Sequence, residues 1–286
     1  MDLSVAADPT VAPAPAVVLR HAGSSTFNQR WLVQLQDGTQ VECVLYRGDT
    51  LCVSSQVGCA VRCPFCASGS NGLARGLTPA ELIGQVEAVQ ALGHELRRVT
   101  VSGVGEPLHN HDAVESFVRH CHGVGLAPSL TTSGGPLPRL RQWLHAPHNG
   151  LTISVHAGSE ATRARTVPKG PALAALFAAL YEEAPRMTQR RRRKTALAYL
   201  LVQGLNDSDA ELDAFAELAR PLGFRIHLYA YNPVPTSDFS RLPDARYAAA
   251  YARLAATGMR VAMSSKARIE ANGGCGTLVA LHTRRT

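Results

Sequence analysis

From Thr50 onward the chain alternates short apolar runs with segments of helical length, and this alternation restricts the fold more than any other feature. The strand candidates are 50–55, 97–102, 127–132, 150–155, 195–202, 224–230 and 259–263, with helices expected near 79–92, 111–124, 136–145, 171–184, 208–221 and 243–257. Strand, helix and strand in strict succession build a parallel sheet with right-handed crossovers. No dinucleotide-type Gly-x-Gly-x-x-Gly opens the first unit, so the six units predict an α/β fold of the partial (β/α)6 barrel kind, not a doubly wound sheet. Ahead of it, Arg30 to Gln36 and Gln40 to Tyr46 alternate like strands around the turn signal Asp37-Gly38, which predicts a short β-hairpin extension.

In parallel α/β folds ligands gather at the carboxyl ends of the strands. Six strand ends here continue into polar or Gly-rich segments: the stretch Cys59 to Cys66, Gly103-Val104-Gly105-Glu106-Pro107, Thr132-Ser133-Gly134-Gly135, Ser154-Val155-His156, Gly204-Leu205-Asn206-Asp207 and Tyr231-Asn232-Pro233. Taken singly, most have bland readings. A Gly-x-Gly-Glu-Pro segment also makes a tight turn, a Ser before a helix is usually its N-cap, a lone His is often a satisfied core residue, and Asn-Pro is a routine turn pair.

The Cys-x3-Cys-x2-Cys spacing of Cys59, Cys63 and Cys66 is the sharpest chemical signal. Three readings compete for it: a disulfide with a spare thiol, a zinc site, or an iron–sulfur cluster with one iron left open. The 286 residues include seven cysteines and show neither a basic leader nor a long apolar run. This predicts a reducing, cytoplasmic setting, no membrane span, and cysteines used for metal or catalysis. A structural zinc site wants a fourth ligand, and none lies at zinc-finger distance. A formal net charge of +7 and a pI near 9.2 lean towards a polyanionic partner.

Together the motifs carry a resemblance. The cysteine spacing, with Phe65 before the last Cys, resembles the signature of radical S-adenosylmethionine (SAM) enzymes. Cys52 to Cys59, Gly105-Glu106-Pro107-Leu108, Thr132-Ser133-Gly134, Ser154-Val155-His156, Tyr231-Asn232-Pro233-Val234-Pro235 and Gly274-Cys275-Gly276 resemble, in order and rough spacing, the RlmN/Cfr family of RNA adenosine methyltransferases. The likeness implies that Cys59, Cys63 and Cys66 hold a [4Fe–4S] cluster whose open iron binds SAM. It places Gly105 and Glu106 at the SAM amino end, and Ser133, Ser154, Val155, His156 and Asn232 along the rest of the pocket.

The same likeness implies methylation of carbon 2 or carbon 8 of an RNA adenosine with two SAM per turnover. Cys275 first takes a methyl group. A radical from a second SAM then removes a hydrogen from it, and the carbon adds to the ring. Cys52 releases the product through a transient disulfide with Cys275, and Glu42 is the general base. An electron donor such as flavodoxin, a ribosomal or transfer RNA substrate and a monomeric enzyme are the expected partners and state.

Residues 1–26, rich in Ala and Pro, are expected to form a flexible tail, 27–48 the β extension, and 49–286 the barrel with its catalytic Cys loop. The resemblance therefore implies a short form without most of the helical RNA-docking domain that precedes the barrel in the familiar enzymes. Arg190 to Lys194 reads equally as a solvated charge run or as a grip on phosphates. Cys43 and Cys121 match no motif and read as structural. Two other functions stay open: the same chemistry on a small molecule or peptide, and a non-catalytic RNA-binding relative.

Overall fold

The computed structural model describes residues 16–264. Ten of its strands form one sheet: β1 (Val17–Ser24), β2 (Asn28–Leu35), β3 (Gln40–Tyr46), β4 (Thr50–Val53), β7 (Arg98–Val101), β8 (Ala127–Thr132), β9 (Gly150–Ser154), β10 (Thr195–Leu201), β11 (Arg225–Ala230) and β12 (Val261–Met263), adjacent in that order. The remaining two, β5 (Gln56–Gly58) and β6 (Leu73–Gly76), pair as a separate antiparallel ribbon that brackets the cysteine loop.

From β4 to β12 every neighbouring pair is parallel. The crossovers are α1 (Pro79–Ala91), α2 (His111–Gly123), α3 (Leu137–His145), then α4 (Glu160–Thr166), α5 (Leu173–Glu183) and α6 (Gln189–Lys194) together, α7 (Asp209–Ala219) and α8 (Asp244–Ala256). Six βα units ending on the short β12 make the expected partial barrel. Each strand and helix read from the alternation forms, with ends within two residues of those expected.

The helices pack one apolar stripe onto the outer face of the sheet. Leu82, Val86 and Val89 of α1, Phe117 and Cys121 of α2 and Leu176, Phe177 and Leu180 of α5 join Leu51, Val99, Leu151 and Leu197 in one buried core. Cys43 and Cys121 lie in that core, fully buried, as structural residues would. Among the described residues no helix is long and apolar enough to cross a membrane.

Two features depart from the sequence reading. The predicted tail is ordered from Val17: β1 pairs antiparallel with β2 from Val17↔Leu35 to Ser24↔Gln29. Its burial is uneven, with Val17 in the core and Val18 exposed, as suits an edge strand that covers Trp31 and α1 on one side only. The β extension is also no separate hairpin, because β3 pairs antiparallel with β4 and so extends the barrel wall.

Where β4 leaves the sheet, α1 holds it. Thr78 caps α1 by accepting from Glu81 N at 3.2 Å while Glu81 Oε2 accepts from Thr78 N at 2.8 Å, a capping box behind Pro79. One helical turn later the fully buried Gln85 reads the backbone of Ser54 on both sides: Oε1 accepts from Ser54 N at 2.9 Å and Nε2 donates to Ser54 O at 3.0 Å. Ser54 Oγ in turn donates to Glu42 O at 2.6 Å and accepts from Val104 N at 2.9 Å, tying β3 to the segment after β7. Gln85→Leu keeps the volume and strands both Ser54 groups. Urea unfolding is expected to show a loss of about 2–4 kcal/mol at one to a few kcal/mol per orphaned buried group.

Candidate active site

Gly58 ends β5 at φ +80°, and a Cβ there would sit 2.0 Å from the Gly72 carbonyl oxygen. The same carbonyl accepts from Cys59 N at 2.8 Å, so the two ends of the loop are stapled together. Inside it Arg62 takes a left-handed φ of 55°, and a Cβ on Gly69 would lie 2.8 Å from Arg62 Cα. This tight winding gathers Cys59, Cys63 and Cys66, all free thiols.

Cys59 is buried, and burial pushes its thiol up to about 12. Cys63 is pushed well above the ordinary thiol value, first by burial and then by the neighbouring Cys66 and Cys59, while Arg163 opposes the rise. Three thiolates that repel one another in a half-buried loop need a cationic centre among them. An all-sulfur donor set suits an iron–sulfur cluster. Among the described residues no three His, Cys, Asp or Glu groups converge tightly enough for a single metal ion. A four-iron cluster asks something different, since each thiolate binds its own iron.

The second wall is the turn after β7. Gly105 has φ +116°, and a Cβ would press within 2.7 Å of Ser55 Oγ and 2.8 Å of the Gln56 side chain, so only glycine fits. Glu106 follows, 3% exposed. Its Oε1 accepts from Leu108 N at 3.0 Å and Thr132 Oγ1 at 2.5 Å, and its Oε2 from Ser133 N at 2.7 Å. Gln56 Oε1 receives the Glu106 N–H at 2.7 Å. A carboxylate has about four acceptor positions, so three donors leave one for an incoming ammonium group. Beside it Ser133 Oγ is buried with no hydrogen-bond partner among the described residues. A spare acceptor next to an orphaned hydroxyl fits the polar, amino-acid end of SAM.

The third wall is the end of β9. Leu151, Ile153 and Val155 point into the core, so Thr152, Ser154 and His156 face the barrel interior. Ser154 and His156 line a cleft with Cys66, Phe65, Tyr46, Tyr231 and Asn232. The side chain of Val155 instead lies fully in the core, and its N–H and C=O are spent on Ala198 O and Arg163. Any part Val155 takes in the pocket would be through its backbone, not its side chain.

His156 holds φ +57°, unusual for a side chain of its size, and Asn206 braces it by donating to His156 O and Leu200 O at 2.8 Å each. Leu200 N donates to His156 Nδ1 at 2.9 Å, which leaves the ring proton on Nε2. Burial and then Arg163 lower this imidazole to about 3. The neutral ring meets Phe65 edge-on at 5.4 Å, joining the cysteine loop to β9.

The fourth wall comes from the extension. In β3, Val41, Cys43 and Leu45 enter the core, so Glu42, Val44 and Tyr46 share the inner face. Cys52 of β4 packs with Val44 and Tyr46 on that face, and its Sγ lies 3.2 Å from Ser102 Oγ. Glu42, commonplace on a surface hairpin, is instead 1% exposed. Cys275 lies outside the described residues.

One residue of the mouth carries no motif signal. Arg163 of α4, 1% exposed, donates to Ser154 O at 2.7 Å, Val155 O at 2.8 Å, Ser133 O at 2.8 Å and Pro171 O at 3.1 Å. It forms no ion pair among the described residues, and burial lowers it to about 10, with Cys63, Glu160 and Glu106 holding its charge in place. Its acceptors lie up to 30 residues away, so spacing gives no hint of it.

Residues 53–218 match the model of the radical SAM superfamily. The chain belongs to that superfamily. Within it the chain is 33% identical to the "Dual-specificity RNA methyltransferase RlmN" of a Marinomonas species, covering 93% of this chain and 76% of that protein. It is 36% identical to a "Probable RNA methyltransferase" of Rhodopseudomonas palustris, over 76% of this chain and 62% of that one. The crystal structure of a radical SAM methyltransferase from Sphaerobacter thermophilus superposes with a TM-score of 0.83 at 30% identity, covering 93% of this chain and 82% of that one.

The chain is thus a radical SAM protein of the RlmN/Cfr-like family, and membership brings a [4Fe–4S] cluster and SAM as cofactors. In this radical SAM barrel Glu106→Gln turns an acceptor into a donor against the N–H and O–H groups that now point at it. Unfolding measurements are expected to show a loss of about 1–3 kcal/mol.

Proposed function

We infer that the chain methylates an adenosine in RNA, at carbon 2 or carbon 8, using two SAM per turnover and a cysteine that carries the one-carbon unit. The observation that carries this reading is the placement of Glu42 and Cys52. Both sit on the inner wall, on the face of Tyr46, which lines the same cleft as Cys66, His156 and Asn232. A radical enzyme that only cleaved SAM would need neither a buried carboxylate nor a second thiol there.

The residues divide the work. Cys59, Cys63 and Cys66 hold the cluster, which with SAM bound supplies hydrogen-atom abstraction. Glu106 accepts from the SAM amino group, Ser133 Oγ takes its free partner from the same end, and His156 Nε2–H and Asn232 offer polar contacts across the cleft. Carbon 2 of adenosine is electron-poor and unreactive towards an ordinary sulfonium methyl, so a thioether on Cys275 brings the carbon to the ring. Release needs a thiolate that attacks the Cys275 sulfur, and Cys52 fills that role. The Cys52–Cys275 bond forms as the sulfur–carbon bond breaks, and the electron pair leaves on the former methylene carbon, which takes a proton to become the methyl group. An external dithiol then reduces the disulfide by thiol–disulfide exchange. Glu42 takes the ring proton.

Mass mapping of modified adenosines in total RNA, with and without the active protein, tests the reading and names both RNA and carbon. No change in any methyladenosine would overturn it. Cys52→Ala is expected to purify with RNA joined covalently to Cys275, seen as a protein band that shifts on ribonuclease treatment. Full turnover without such an adduct would remove Cys52 from the mechanism. Anaerobically reconstituted protein is expected to hold about four irons. Cys63→Ala should lose most of that iron while keeping its far-UV circular dichroism.

A further inference from the structure

The end of the barrel opposite the cleft carries a second concave site. His122, His148, Arg190, Arg191 and Lys194 line a cavity against Leu126 and Ala127, where β8, β9 and β10 begin. The amino ends of parallel strands are not where this fold binds its cofactors, so the active site does not account for the cavity.

Its charge is uncompensated. None of Arg190, Arg191, Arg192, Arg193 or Lys194 lies in an ion pair among the described residues. Glu183, which reaches the cavity wall at His145, is spent on Arg141 at 2.8 Å and on His145 itself at 2.9 Å. The cations rest on neutral oxygens instead: Arg191 Nη1 donates to His148 O at 3.0 Å and Lys194 Nζ to Asn149 Oδ1 at 3.0 Å. Lys194 is lowered first by burial and then by Arg190 and Arg191, so these charges strain against one another. An anion would relieve them.

His148 adds a second, independent sign. It is 2% exposed, and neither ring nitrogen finds a hydrogen-bond partner among the described residues. The Trp143 carbonyl approaches one ring nitrogen and favours its protonation. A buried imidazole with at least one nitrogen unmet, on the wall of a basic cavity, has a polar edge to offer a ligand.

We propose that this cavity binds a backbone phosphate of the RNA substrate, as an anchor remote from the chemistry. This rests on the RNA reading given above. A polymer fits better than a free phosphate because the positive charge continues along the same end of the sheet. Arg97 before β7, Arg225 at the start of β11 and Arg260 before β12 are exposed and form no ion pair among the described residues. Strands of six or seven residues set the two ends of the barrel ~20 Å apart, a span one folded RNA can bridge along the outside of the molecule.

The test is filter binding of the full chain to a transfer RNA transcript across a salt series. Arg190→Gln/Lys194→Gln is compared with Arg119→Gln/Arg253→Gln, which removes equal charge elsewhere. Each lost phosphate contact lowers the log–log salt slope by roughly 0.7–0.9, so the first pair, which removes the two cations around the one phosphate, is expected to flatten it by about 0.8 and to weaken binding at low salt by at least ~10-fold. The control pair is expected to leave the slope near that of the wild type. Equal slopes for wild type and the Arg190/Lys194 variant, with both folded by circular dichroism, would sink the anchor and spare the RNA reading. Wild type that binds no RNA would sink both. Displacement of RNA by millimolar inorganic phosphate, beyond a matched chloride control, would mark a free-phosphate site and overturn the assignment to RNA.

Discussion

A buried carboxylate organises the working end of this molecule. Moving Glu106 out of water costs several kcal/mol unless its oxygens are met, and they are met by three groups: Leu108 N just after it, and Thr132 Oγ1 and Ser133 N at the end of β8. Its own N–H is fixed by Gln56 at the entrance to the cysteine loop. One residue therefore sets the spacing of β7, β8 and the loop at once, by its carboxylate and its own N–H. The close approach that makes this possible exists only because Gly105 has no side chain to meet Ser55 and Gln56.

Arg163 does for β8 and β9 what Glu106 does for β7 and β8. Four of its five N–H donors are used on backbone carbonyls at Ser133, Ser154, Val155 and Pro171. With so little donor capacity left, its effect on a ligand is mainly that of a fixed positive charge. That charge opposes the burial of Cys63 and helps keep His156 neutral. Opposite charges placed on two sides of one cleft, without touching, leave each free to act on a zwitterionic ligand.

The barrel was legible because burial alternates with the period of each element. The same parity sorts side chains within the site: Leu151, Ile153 and Val155 share one face, so counting along β9 puts the Val155 side chain in the core. Chemistry was legible where it is local, as in the cysteine spacing. What stayed hidden is long-range or compositional. The acceptors of Arg163 are scattered over distant turns, and Glu106 meets its partners 26 and 27 residues on. Strand β1 escaped because Val17 to Ser24 shows no clean alternation and follows an Ala- and Pro-rich segment, and its pairing with β2, with only one side covered, decides its structure.

The two ends of the sheet have opposite needs, and the sequence meets them with different residues. At the carboxyl ends the groups are buried and, Ser133 Oγ apart, largely satisfied, since a site that positions reacting atoms gains from fixed dipoles in a dry setting. At the amino ends cations prevail, from Arg97 through the half-buried Lys194 to Arg260, and these three form no ion pair among the described residues, although Arg98 pairs with Asp49 at 2.6 Å. Exposed like charges cost stability through repulsion and are worth keeping only if something of the opposite sign sits against them. An adenosine drawn from a long polyanion supplies both halves of that requirement: one base for the closed end, and many phosphates for the open one.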